Sequence, residues 1–254
     1  MMRVDEAAAW VLHVRPWRDT SLLCELFTAG HGRLGTIVKG ARGRRGSRRA
    51  LLQPFRPLLV GWQGRGELAT LTRVESAGEA PRLEGDAVHA GFYLNELLVR
   101  LLPRNQPQPP EMFVLYQESL SLLAAGEMEI ALRRFEKRLL ELLGYGYRFD
   151  RLADSGQPVH EARLYRFQPG VGVTACGEKE VGIPGAHFLA LAREDWRPEA
   201  LTSHRRILQA ALVPLLGDRP LRSRTVYRAM RRLVEAHREV RDRTPAMHAT
   251  ESPE

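Results

Sequence analysis

The sequence predicts an α+β, multidomain chain: a small five-stranded β-barrel over residues 1–80, then an α-helical domain over 81–243 with a small irregular or β-hairpin insertion at about 147–184. Three observations predict this. Short apolar runs separated by glycine-bearing turns fill the first 80 residues; beyond Pro81 apolar residues recur at helical spacing; and 254 residues exceed the ~100 to 200 of a typical single domain.

Five strands are expected at 9–14, 21–27, 33–39, 55–62 and 67–75. The turns TAGHG (28–32) and QGRG (63–66) supply glycines for the positive φ that tight hairpins use. Five antiparallel strands with one long connection after the third fit a closed barrel of the OB type, since closure removes exposed edges. An SH3-like barrel is the nearest alternative. Cys24, Phe27 and Phe55 lie in apolar runs and are expected in the core.

Val88, Phe92, Leu94, Asn95, Leu98, Leu101 and Leu102 mark a first helix that Pro103 ends. A second carries Phe113, Leu115, Tyr116, Leu120 and Leu123. The third, 128–143, turns Ile130, Leu132, Phe135, Leu139, Leu142 and Leu143 inward and sets Arg133, Arg134, Lys137 and Arg138 on the opposite side; Gly144 and Gly146 stop it. Runs at 164–167 and 171–175 read as a small hairpin. Helix returns over 203–216, with a bend or break at Pro214, and again over 223–240, where Val226, Met230, Leu233, Val234 and His237 form a stripe among arginines. The tail 244–254 is expected to be disordered.

The charge is informative in its placement. Formal net charge is +8, and of 38 cationic side chains all but Lys39, Lys137 and Lys179 are arginine, the side chain suited to bidentate phosphate contacts. Residues 1–80 carry 13 basic and 7 acidic groups, 81–145 carry 7 and 9, and 146–254 carry 18 and 14, so the excess lies at both ends. Its densest point is KGARGRRGSRR (39–49), which has no acid. Arg33, Lys39, Arg42, Arg44, Arg45, Arg48 and Arg49 are candidates to neutralise phosphates without reading base sequence, and Arg15, Trp17 and Arg18, at the first turn, to extend that surface. Trp10, Trp17, Phe55 and Trp62 are stacking platforms if they face outward, with Trp17 the ring expected to be exposed.

The chain lacks HExxH, GxSxG, GxxxxGK[ST] and paired-carboxylate spacings, so no enzyme is expected, and no cofactor. Its two cysteines, Cys24 and Cys176, stand far apart and imply neither disulfide nor metal site; His31, His187 and His204 are expected to be surface or capping residues. Without a membrane-spanning run or secretory signal, a soluble cytoplasmic location is expected. The residues alone leave open a DNA-binding protein or a basic RNA- or ribosome-binding one.

The blocks LHVRPWRDTSLL (12–23), VKGAR (38–42), LQPFRPLL (52–59), YLNELL (93–98), LRRFE (132–136) and LLGYGY (142–147), in this order, resemble the RecO family of bacterial repair and recombination mediators. The resemblance implies an N-terminal OB fold before a helical domain, binding of single- and double-stranded DNA, and annealing of complementary strands. It further implies RecR as partner, assistance to RecA loading on strands coated by the single-strand-binding protein SSB, and association with the nucleoid during repair. It places the acidic, apolar tail of SSB on the helical domain, where Arg133, Arg134, Lys137 and Arg138 are candidates. Some members hold zinc with four cysteines after the LGY motif; here only Cys176 remains, so no metal is expected.

Overall fold

The first strand governs the barrel because of its length. A computed structural model describes residues 2–41, 47–64, 66–177 and 180–243, with the backbone alone at 2, 47, 48 and 233–243. In it β1 (Met2–Trp17) pairs through its first half with β4 (Pro57–Gly64) and through its second half with β2 (Ser21–Thr28). Next, β3 (Gly32–Val38) runs antiparallel to β2, and β5 (Leu68–Ser76) antiparallel to β4. Parallel pairing of Gly35 to Ile37 with Leu68 to Thr70 closes the ring β1-β2-β3-β5-β4, an OB-type barrel.

That parallel pair corrects the expectation of five antiparallel strands. Around a closed ring with an odd number of strands, direction cannot alternate at every step. The sequence also hid the first seven residues of β1: Asp5, Glu6 and three alanines break the alternation, and the register shifts between Val4 and Ala7. At Gly61 a Cβ would stand 2.5 Å from the Asp5 carbonyl oxygen, so the close approach of β4 to this irregular segment requires glycine. A short helix, α1 (Ser47–Leu51), takes in the last residues of the basic stretch 39–49, and Leu51 and Leu52 pack on the interior cluster of Val11, Cys24, Leu26, Val60 and Trp62.

Strand β2 is buried on both faces, which is why it reads as an almost unbroken apolar run. Leu22, Cys24 and Leu26 fill the barrel. By alternation Leu23, Glu25 and Phe27 face outward, where the helices cover them. The Phe27 ring lies 5.5 Å from Phe113 and 6.1 Å from Tyr116, and Trp10 meets Tyr116 edge-on at 5.7 Å.

The covering layer is α2 (Asp86–Leu101), α3 (Pro110–Ala124), α4 (Met128–Leu142) and α6 (Pro198–Leu216), joined by Leu94, Leu97, Leu98, Leu120, Phe135, Leu139, Leu208 and Leu212. Phe92, one of the residues whose spacing marks α2, is 42% exposed and packs edge-on against Phe55. Pro214 lies within α6 without ending it. Between α4 and α6 come β6 (Leu164–Gln168), β7 (Gly172–Ala175), β8 (Ile183–Pro184) and α5 (Gly185–Ala192), in a sheet of order β7-β6-β8; the hairpin was expected, the third strand and α5 were not. His204, expected as a surface or capping residue, is buried within α6, and its Nε2–H donates to the His187 carbonyl at 2.9 Å.

Asn95 ties helix to barrel. The β1 register slips between Val11 and His13, and the Asn95 amide donates to the carbonyls of Leu12 at 3.0 Å and Val11 at 3.4 Å while accepting from the Tyr116 hydroxyl. A polar group inside an apolar stripe is thereby satisfied where a bulge disrupts the ladder.

By compactness Met1–Arg219 form one unit and Pro220–Glu254 a second, which holds α7 (Arg222–Arg243). The tail expectation, 244–254, falls outside the described residues. Asn95→Ala strands two carbonyls and a hydroxyl, and is expected to lower unfolding free energy by about 2–3 kcal/mol in guanidinium titration. Tyr116→Phe, which loses a single bond, is expected to cost about 1 kcal/mol in the same measurement.

Candidate nucleic-acid interface

Register gathers cations on one rim of the barrel. Trp17 pairs with Ser21 and Leu22 with Val38, so the end of β1, the start of β2 and the end of β3 lie side by side. Arg15, Arg18 and Lys39 are exposed there, and Arg18 takes the left-handed conformation, φ 51°, that turns the hairpin. The Arg15 guanidinium lies 5.6 Å from the centre of the half-buried Trp17 ring, a cation–π contact worth about 0.5–1 kcal/mol at an exposed site. Arg49 is exposed on α1, while Arg42, Arg44, Arg45 and the Arg48 side chain fall outside the described residues.

Burial removes other candidates. Trp10, Phe55 and Trp62 are core residues, not stacking platforms, because each is wedged beneath the helices or inside the barrel; this leaves Trp17. Arg33 is also corrected. Its Nε donates to Glu25 at 2.9 Å, and its Nη1 to the carbonyls of Val99 and Leu102, capping the C-terminal end of α2. A guanidinium so held belongs to the junction of barrel and helices.

Glu25 is the centre of that junction. Its carboxylate accepts from Arg33 and, through both oxygens, from Arg104 in the segment after α2. The Asn105 N–H donates to the Arg33 carbonyl at 2.8 Å, so a single parallel bridge joins this segment to β3 at Arg33 and Arg104. Gly32, at φ +68°, is required there: a Cβ would strike the Gln106 carbonyl. Burial by itself would raise the Glu25 carboxyl, but the bonds from Arg104 and Arg33 together outweigh it and hold the group below its ordinary 4.5.

The row on α4 does not form the solvated face expected of it. Arg133 is 1% exposed and pairs at 2.9 Å with Glu136, itself fully buried and accepting from Tyr93 at 2.6 Å. Lys137 is buried against Glu141 and Glu194. Arg134 and Arg138 reach the surface, where Glu118, and Glu141 with Glu194, compensate them. One helical turn thus divides the four between core and surface, because α4 is packed against α3 on one side and α6 on the other.

Residues 2–79 match the family description recombination protein O N terminal, and residues 82–225 match recombination protein O C terminal. The DNA repair protein RecO of Pseudomonas paraeruginosa is 47% identical over 223 residues, 87% of this chain and 93% of that protein. That of Methylococcus capsulatus is 46% identical over 223 residues, 87% and 92% of the two chains, and that of Alkalilimnicola ehrlichii 46% over 241 residues, 92% and 95%.

The chain belongs to the RecO family. Within it, a four-cysteine zinc site does not fit these residues. Cys24 is buried in the barrel core, and Cys176 donates its S–H to the Glu180 carbonyl at 3.5 Å. Among the described residues no three His, Cys, Asp or Glu side chains gather as metal ligands. Packing holds the insertion instead: Tyr147, Phe149 and Phe167 form an aromatic cluster with centroids 5.0–6.2 Å apart, Leu152 bridges to Val173, and Gly185 lets its backbone pass the His160 carbonyl. Among the described residues no helix is long and apolar enough to cross a membrane.

Sequence reasoning missed Glu25, Asn95 and Arg104 as functional positions in the architecture. The available signal was an acid inside the run 22–27 and an amide inside the α2 stripe, since a polar group on an apolar face needs a partner. Because the folded-state Glu25 value lies below the unfolded one, its stabilisation is complete above about pH 4.5 and lost as pH falls through the lower value. In denaturant titrations across pH, the stability gap between wild type and Glu25→Gln is therefore expected to be largest near neutrality and to shrink below about pH 4.5.

Proposed function

We propose that this protein is a nonenzymatic mediator of DNA repair and homologous recombination, acting where DNA lies in the cytoplasm. It binds single- and double-stranded DNA at the cationic barrel rim, anneals complementary strands, and with RecR assists loading of RecA on SSB-coated DNA. The observation that carries the reading is the rim, Arg15, Trp17, Arg18 and Lys39, from which the acid-free stretch with Arg42, Arg44, Arg45, Arg48 and Arg49 runs on in sequence, in a chain of the RecO family.

Cations at the rim offset the repulsion between two phosphate backbones, while base pairing supplies specificity. Trp17, braced by Arg15, offers a face to a splayed base. Bulk tethering of SSB and DNA on one protein raises their encounter probability without new base contacts. For the SSB tail the surface pair Arg134 and Arg138 are the candidates, Arg133 and Lys137 being buried.

Replacing Arg15, Lys39 and Arg49 together by alanine is expected to lower the slope of log affinity for single-stranded DNA against log salt by about 2, at ~0.7 per contact, with unchanged circular dichroism. An unchanged slope removes the rim from the mechanism, and equal binding of RNA without DNA annealing favours an RNA-binding role. Arg134→Glu with Arg138→Glu is expected to weaken an SSB tail peptide by calorimetry more than free DNA; the reverse ranking rejects that assignment.

A further inference from the structure

Helix α7 (Arg222–Arg243) belongs to the second compact unit, and the family match ends at Thr225, near its start. Eight of its residues are arginine and three are acidic, with no lysine. The order is uneven: Arg222, Arg224, Arg228, Arg231 and Arg232 all precede the first acid, Glu235. At 100° per residue Arg224, Arg228, Arg231 and Arg232 fall within an arc of roughly 100°, opposite Val226 and Met230. Arg228, Arg231 and Arg232 are exposed and Arg224 half-buried. Arg224, Arg228 and Arg232 rise about 6 Å apart, a ladder of planar donors on the scale of successive phosphates along an extended strand.

A second observation points the same way. The first turn of α7 holds Arg222 and Arg224 and no acid. Cations there oppose the helix dipole, at a cost of about 0.3–1 kcal/mol each, and an anion alongside removes that opposition. The stripe Val226, Met230, Leu233 and Val234 holds no Trp or Phe, the rings that anchor an interfacial helix, which favours a phosphate backbone over a lipid surface.

We infer that α7 is a second nucleic-acid-binding element, whose ridge Arg224, Arg228, Arg231 and Arg232 holds the phosphate backbone of a DNA strand other than the one at the barrel rim. The inference rests on the DNA-handling reading above and adds to it a separate seat for the second strand in annealing. Two seats on one chain bring both strands to one molecule, so pairing becomes a local encounter.

The test uses the full chain with Arg228→Ala, Arg231→Ala and Arg232→Ala combined, beside the rim variant and a triple Arg-to-Lys control at the same three positions. Fluorescently labelled complementary oligonucleotides report single-strand affinity over a salt series and the annealing rate. The α7 variant is expected to lose about 2 from the salt slope and to anneal at least tenfold more slowly, with the lysine control keeping most of the slope. If the rim variant loses slope and the α7 variant does not, α7 is no DNA seat while the rim reading stands. If wild type binds no DNA, the rim reading fails first. Loss of binding to phosphatidylglycerol vesicles, with the DNA slope unchanged, overturns the inference in favour of a lipid surface.

Discussion

The buried carboxylate of Glu25, gripped by Arg33 and Arg104, joins the two halves of the larger unit. It is placed on the outer face of β2, and one of its partners comes from β3 while the other comes from the segment that follows α2. A carboxylate in that position, without two cations, would carry a large desolvation penalty, so barrel and helices are held in one register. Asn95 adds a neutral tie beside it, reading the carbonyls released by the β1 irregularity. The outer face of β1 and β2 is therefore structural, and the cations lie on the rim where these strands end.

The same rule sorts the cations of the whole chain. Where helices pack on both sides, as around α4, an arginine or lysine survives only beside a carboxylate, and Arg133 with Glu136 shows the buried extreme. Such pairs are structural commitments with little charge left for a partner. Exposed charges such as Arg15 and Lys39 are screened by salt as the buried pairs are not.

The proposed strand-handling role needs adhesion without base preference. Arginines on a rim and a half-buried tryptophan supply it, since phosphates and aromatic faces are common to every nucleotide. Rigid joining of the barrel to its helical layer keeps that rim at a fixed position relative to the Arg134 and Arg138 surface, both within one compact unit.

Sequence by itself determined the element types and the charge. Period-two runs and glycine turns located the five barrel strands, helical spacing located α2, α3, α4 and most of α6, and the acid-free stretch 39–49 marked the densest positive charge. Strand boundaries failed at Met2 to Ala8 and helix α5 went unseen, because bulges and short elements blur periodicity. Tertiary structure decided which charges are available. Arg33 and Arg133 look like Arg15 and Arg134 in the sequence, but their fate depends on carboxylates and carbonyls brought alongside from distant segments or by the facing of a helix. Local pattern records the period of a strand or helix; burial of a charge is a property of the several elements that meet around it.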